Sequence, residues 1–352
     1  MKGLVLAGKN HIEWRDVEPP KIKTPFDAIA RPLVVTPCSG DPHCIQTAQP
    51  VFLGKVFGHE GIGVIEEVGS QVKDFKAGDL VILPTVPAVW RSRMAQEGLA
   101  KLMLYSTDTD DVGYGGFFAE HTLVADADMN LAHIPENITM EQAIIIPDVL
   151  ATGFSAAEAT DIRFGDTVLV IGIGPIGLMA ARGAVLKGAA RVIGVGSRAV
   201  TFEAARKLGV TDLVNYKEGD IIEQVLDLTH GQLVDKVIIA GGADASQIFG
   251  AAMTLVRMGG IISSLAAFLE NETVTLPNNQ WFYGSRDKTI KAVQSQGGRV
   301  YLERLIAMVS AGRIDPSIVV THKFHGLDKV TDALDLMASR DQTIMKAAVF
   351  TE

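Results

Sequence analysis

Val168-Leu169-Val170-Ile171-Gly172-Ile173-Gly174-Pro175-Ile176-Gly177-Leu178 runs from an apolar, β-branched stretch straight into G-x-G-x-x-G. The pattern carries weight only where a strand precedes it and a helix follows. Both conditions hold here, because apolar residues recur on one face over 176–187. Gly172 permits the tight turn, Gly174 lets the backbone approach a pyrophosphate, and Gly177 permits close packing of helix on strand. Pro175 and Ile176 open the helix, whose first N–H groups face the phosphates. Strands then alternate with helical patterns: Thr167–Ile171, a helix over 176–187, a strand over 191–195 and a helix over 202–208. Strand-like runs follow at 213–215, 237–240 and 260–265. Such alternation builds an α/β, doubly wound parallel sheet of the Rossmann type.

The end of the second strand decides which dinucleotide fits. A site for NAD places Asp or Glu there to accept hydrogen bonds from the ribose hydroxyls. This chain has Gly194-Val195-Gly196-Ser197-Arg198, with no carboxylate before Glu203. Gly196 leaves room, Ser197 offers a hydroxyl, and Arg198 can pair with a 2′-phosphate. NADP(H) is therefore expected. The plainer reading of Arg198 is a solvated surface charge.

Outward from this core the texture changes. Residues before about 150 read as mostly β, with short apolar runs at Ala28–Val35, Gly61–Val68, 80–83 and 117–124. The stretch 86–114 shows no clear periodicity and reads as a long surface excursion with some helix. Helical patterns return at 300–311 and 327–339, and a final strand-like run at 345–350 can pair back with the first domain. The expected plan is one domain interrupted by another: 1–151, then the nucleotide-binding domain 152–292, then a return segment 293–352.

At 352 residues two domains are the default expectation. The net charge of -9 argues against nucleic acid or an anionic membrane as the main partner. The only cysteines, Cys38 and Cys44, form no disulfide framework and fit a reducing compartment. With no signal-like segment and no apolar run of about 20 residues, a cytoplasmic location is expected.

Three candidate metal ligands stand in the first domain: Cys38 in Thr36-Pro37-Cys38-Ser39-Gly40-Asp41-Pro42-His43, His59 before Glu60, and Asp148 after Pro147. Thiolate, imidazole and carboxylate are all competent for zinc, and a catalytic zinc keeps a fourth position open. No local spacing rule joins residues so far apart. Taken singly, Cys38 reads as a small buried hydrophobe, His59 as a satisfied turn histidine and Asp148 as a helix cap.

Together these residues carry a family signature. Gly58-His59-Glu60-x-x-Gly63, with Gly69 and Val72 beyond it, resembles the zinc alcohol dehydrogenases of the medium-chain dehydrogenase/reductase superfamily. Pro147-Asp148, 126–133, Gly196-Ser197-Arg198 and Val214-Asn215-Tyr216-Lys217 resemble the NADP-dependent secondary alcohol dehydrogenases of anaerobic bacteria. The resemblance covers nearly the whole chain and is weakest over 86–115. It implies a GroES-like catalytic domain interrupted by the Rossmann domain, with the active site in the cleft between them. It implies one catalytic zinc on Cys38, His59 and Asp148, with Glu60 as a further or transient ligand. It implies a 2′-phosphate held by Gly196, Ser197, Arg198 and Tyr216, with Arg340 as a further basic residue, and a homotetramer. Many relatives add a structural zinc on four cysteines; two cysteines in all exclude that here.

The implied reaction interconverts a secondary alcohol with a ketone, or an alcohol with an aldehyde. Zinc polarises the oxygen and the nicotinamide carries hydride. Ser39 is expected to relay the proton and His43 to pass it toward solvent, although a loop histidine without that role is equally consistent. Ala267 stands where relatives often have an aromatic residue, near Phe268. Gln294 and Ser295 fall where apolar or small residues usually lie, and 86–114 has no clear counterpart for a pocket tryptophan, although Tyr105 is nearby. These differences point to a substrate other than, or larger than, short 2-alkanols. Two other readings compete: a zinc-free NADPH quinone or enoyl reductase of the same superfamily, and a low-turnover NADP-binding structural or sensor protein. The complete ligand set argues against both.

Overall fold

The computed structural model describes residues 1–48, 52–87, 90, 92–97, 116–242, 244–266, 273–282, 287–339 and 341–352. The chain divides into two units, one of Met1–Ala151 with Gln296–Glu352 and one of Thr152–Ser295.

The second unit carries a six-stranded parallel sheet. Its spatial order is Asp212–Asn215, Arg191–Gly196, Thr167–Ile171, Val234–Ile239, Val256–Ser264 and Thr289–Ala292. Counted along the chain within this unit, that order is 3-2-1-4-5-6, the doubly wound arrangement. Its central strands are buried on both faces and read as continuous Val and Ile runs, as parallel strands covered by helices must. Helices Pro175–Leu186 and Ala199–Lys207 follow the first two strands. Arg191 clamps Asp212 with two hydrogen bonds, Nε to Oδ2 at 2.7 Å and Nη2 to Oδ1 at 2.9 Å, which pins the start of the second strand to that of the third.

In the first unit a seven-stranded sheet runs in the order Val320–His325, Lys346–Phe350, Ala28–Val35, Gly61–Val68, Leu80–Ile82 and Ala132–His133, while Thr122–Val124 also pairs Ala28–Val35. The return strand Lys346–Phe350 does pair antiparallel with Ala28–Val35, through Val349 with Val35 and Phe350 with Val34. Ala28–Val35 pairs antiparallel with Gly61–Val68. That crossing explains Gly63: a Cβ there would sit 2.5 Å from the Arg31 carbonyl oxygen.

Two elements differ from the sequence reading. The N-terminal run is one half of a hairpin, Lys2–Gly8 with His11–Asp16, whose second strand offers only two alternating apolar residues, Ile12 and Trp14, both packed against the core. The 117–124 run is a strand only over Thr122–Val124, with Ala119 bridging Gly3. Within 86–114 the described residues include a short helix, Arg93–Gln96, while Tyr105 lies outside the described residues.

Candidate metal centre and dinucleotide site

Antiparallel pairing of Ala28–Val35 with Gly61–Val68 sets Val35 opposite Gly61. The chain just beyond the first strand therefore lies beside the chain just before the second. Thr36 N–H extends the ladder by one bond to the Glu60 carbonyl, 3.2 Å. Cys38 and the pair His59-Glu60 meet at this sheet end. Thr85 Oγ donates to the His59 carbonyl at 2.9 Å and fixes that backbone. Asp148 arrives from a different element, inside a π-helical turn, Ile146–Leu150, whose Leu150 N–H reaches back to the Ile145 carbonyl at 2.9 Å. It is not a helix cap. The inserted residue of a π turn re-aims side chains, which is why such turns gather at functional sites.

One donor atom each from Cys38, His59, Glu60 and Asp148 lies within 4.8 Å of all the others. Tetrahedral zinc with bonds of 2.0–2.3 Å separates its donors by about 3.3–3.8 Å, so only a small contraction is required. The residues fit a metal on two further counts. Glu60 is fully buried, and its Oε2 has no hydrogen-bond partner among the described residues. Burial, with Asp148 nearby, pushes the Cys38 thiol up to about 12, so the thiolate forms only when a cation takes the proton's place. Burial also holds the Glu60 carboxyl well above its ordinary range, against the pull of the Lys346 ammonium.

Two residues that the sequence reading gave no role complete the surroundings. Asp41, buried, accepts the Cys38 N–H on Oδ2 at 2.8 Å and places Oδ1 3.7 Å from His59 Nδ1. Lys346, buried, donates to the Pro37 carbonyl at 2.7 Å and to Glu60 Oε1. Asp41 gave no sequence signal beyond its closeness to Cys38. Lys346 did give one: it is the only charge in Ile344-Met345-Lys346-Ala347-Ala348-Val349-Phe350. Ser39 is exposed next to Cys38, and His43 is half-buried on the helix Asp41–Thr47.

In the other unit Gly172 has φ +92°, and a Cβ there would meet Gly241 N at 2.7 Å. A Cβ on Gly177 would overlap the Gly172 carbonyl oxygen. Helix Pro175–Leu186 opens on Gly174 without a side-chain cap, so no capping side chain takes its first N–H groups. At the end of Arg191–Gly196, Ser197 Oγ donates to Tyr216 Oη at 3.0 Å, and Tyr216 N–H donates to the Gly196 carbonyl at 3.2 Å. Arg198 is half-buried beside Tyr216, and burial lowers its pKa. Gly196, Ser197, Arg198 and Tyr216 thus gather at one sheet corner. Arg340, Ala267 and Phe268 lie outside the described residues.

The family model "Zinc-binding dehydrogenase" matches residues 175–310, and "Alcohol dehydrogenase GroES-like domain" matches residues 26–136. The chain is 44% identical to an NADP-dependent isopropanol dehydrogenase of Thermoanaerobacter brockii, over 99% of both chains. It is 43% identical to one of Clostridium beijerinckii, again over 99% of both. This chain belongs to the zinc-binding dehydrogenase family. Among solved structures, an alcohol dehydrogenase from Thermus sp. ATN1 superposes on this dehydrogenase with a TM-score of 0.86 at 25% identity, covering 99% of each chain. A zinc-dependent alcohol dehydrogenase 2 from Streptococcus pneumonia does so with 0.85 at 27% identity, over 100% of this chain and 99% of that one. Among the dehydrogenase's described residues no helix is long and apolar enough to cross a membrane.

Proposed function

We propose that this dehydrogenase interconverts a secondary alcohol with its ketone, or an alcohol with its aldehyde, using NADP(H) and one zinc per chain. The observation that carries the reading is the meeting of Cys38, His59, Glu60 and Asp148 within 4.8 Å, brought together from three separate parts of the first unit. Cys38, His59 and Asp148 hold the metal. When bound, zinc supplies Lewis-acid polarisation of the substrate oxygen and NADP(H) supplies or accepts the hydride.

The chain's own residues do the rest. Asp41 Oδ1 stands 3.7 Å from His59 Nδ1, near enough to favour electrostatically a ring that presents Nε2 to the metal, the part a carboxylate plays behind a zinc-bound histidine. Ser39 moves the proton between the substrate oxygen and His43, which passes it to solvent. The exposure of Ser39 and the half-burial of His43 support this relay. Gly172, Gly174, Pro175, Ile176 and Gly177 form the turn and helix start that seat the pyrophosphate. Gly196, Ser197, Arg198 and Tyr216 hold the 2′-phosphate, with Arg340 as a further basic partner.

Ala267, in place of an aromatic residue, with the polar Gln294 and Ser295, favours a substrate other than, or larger than, short 2-alkanols. A cytoplasmic location accords with Cys38, whose thiol must stay reduced to bind metal. A homotetramer completes the proposal, to be weighed by sedimentation.

The deciding experiment measures zinc content and NADPH consumption before and after chelation. About one zinc per chain, with activity lost on chelation and restored by zinc, supports the reading. Full turnover by metal-free protein sinks it and favours a zinc-free reductase. A panel of acetone, longer ketones and functionalised aldehydes then sets the substrate class; a strong preference for acetone refutes the enlarged-pocket reading.

A further inference from the structure

Lys346 is the first residue of the strand Lys346–Phe350, and every other residue from Ile344 to Val349 is apolar and buried. Its side chain is 3% exposed and that of its partner Glu60 is 0% exposed. Burying such a pair removes two ions from water, and the mutual attraction often fails to recover that cost. The pair therefore demands a reason beyond holding the sheet together.

The arrangement of its atoms supplies one. The Lys346 ammonium donates to Glu60 Oε1 and to the carbonyl of Pro37, the residue before Cys38. It leaves Glu60 Oε2 buried without a partner among the described residues. One carboxylate oxygen of Glu60 lies within 4.8 Å of the Cys38, His59 and Asp148 donors.

We propose that Lys346 is the positioning residue that makes Glu60 a one-oxygen, exchangeable metal ligand: its ammonium occupies Oε1 and leaves only Oε2 for the metal. This inference rests on the reading that Cys38, His59 and Asp148 hold the metal. Charge balance supports it. Among the proposed donors alone, a thiolate and two carboxylates set three negative charges against a divalent cation, and the ammonium offsets the excess at Glu60. Glu60 is then compensated whether or not Oε2 is bonded, so gaining or releasing that bond costs little. Without the ammonium, both Glu60 oxygens turn to the metal as their sole source of positive charge, and the carboxylate becomes a permanent ligand.

The test uses full-length protein loaded with Co²⁺ in place of zinc, which retains a similar donor preference and adds visible absorption bands. Two quantities are read at one fixed pH: the intensity of those bands, which weakens as coordination number rises, and the rate of Co²⁺ release to excess chelator. Lys346→Met should weaken the bands and slow release about tenfold or more, the scale on which neighbours of metal ligands act. Lys346→Arg should restore both toward wild type. Lys346→Gln, which keeps a donor for Pro37 without the charge, should behave as Lys346→Met and replaces it if that variant does not accumulate. In a Glu60→Ala background the effect of Lys346→Met should vanish. Unchanged bands and release in Lys346→Met and Lys346→Gln overturn the proposal, as does an effect that persists without Glu60. Failure of wild-type protein to take up about one Co²⁺ per chain, or retention of the metal by Cys38→Ala, sinks the metal-centre reading instead.

Discussion

Asp41 touches two proposed metal ligands at once: Oδ2 accepts the Cys38 N–H at 2.8 Å while Oδ1 stands 3.7 Å from His59 Nδ1. One buried carboxylate thereby orients the thiol-bearing backbone and the imidazole together. Asp41→Asn keeps the shape but removes the charge. Zinc affinity is expected to fall about 10–100-fold, the usual consequence of losing such a partner. Competition with a coloured chelator measures it, and wild-type affinity in the variant would show that Asp41 only braces the loop.

Metal uptake should release protons. Desolvation pushes the Cys38 thiol up to about 12, far above neutral pH, so the metal-free protein carries it protonated, whereas zinc binds the thiolate. Apparent zinc affinity should rise about tenfold per pH unit for each proton displaced, near neutral pH. The stability consequence has the matching sign. A thiol raised in the folded state stabilises metal-free protein below the ordinary thiol range, and that contribution is lost as pH rises toward about 12. Metal-free protein should lose stability under alkaline conditions that leave loaded protein unaffected. Calorimetric zinc titration in buffers of different ionisation enthalpy counts the protons; a count of zero contradicts this account.

Cofactor choice should hinge on Arg198. A charged hydrogen bond to a phosphate contributes about 1.5–3 kcal/mol. Arg198→Ala is expected to weaken NADPH binding by about 10–150-fold and to leave NADH binding nearly unchanged. Tyr216→Phe loses the hydroxyl that accepts from Ser197 and should cost less, about 0.5–1.5 kcal/mol. Fluorescence titration with both nucleotides checks this, and equal losses for the two would assign Arg198 a structural role.

Gly177→Ala should damage the nucleotide unit before any chemistry is involved. The added methyl would overlap the Gly172 carbonyl oxygen in a turn that Gly172 can form only because its φ is +92°. Overpacking of this kind costs about 1–3 kcal/mol, and here it also displaces the helix start that receives the pyrophosphate. Thermal unfolding and NADPH titration should both register the change. A variant as stable as wild type, with unaltered affinity, would mean that strand and helix are not held in this contact.

Local and periodic features were legible without coordinates. Thr167–Ile171 and its glycine turn form one continuous stretch, and both the apolar periodicity and the backbone freedom of glycine act within a few residues. The absence of an acid after Gly196 is equally local. Strand-like and helical patterns therefore indicate the doubly wound unit, while the N-terminal hairpin escapes them because His11–Asp16 offers only Ile12 and Trp14 as alternating apolar residues. The proposed metal ligands are grouped only through a resemblance, since nothing in Cys38, His59 or Asp148 taken singly points to the others.

The sequence by itself determined the dinucleotide fold and the preference for a 2′-phosphate, because both are written in contiguous residues whose chemistry is fixed by their neighbours in the chain. Only the tertiary structure decided how the metal centre is supported. The register of Ala28–Val35 against Gly61–Val68 brings Cys38 to His59 and Glu60, and the π-helical turn delivers Asp148. The return strand sets an ammonium against a buried carboxylate 286 positions away in the chain. Burial and pairing across such separations depend on how strands stack and register, and no spacing along the chain encodes that.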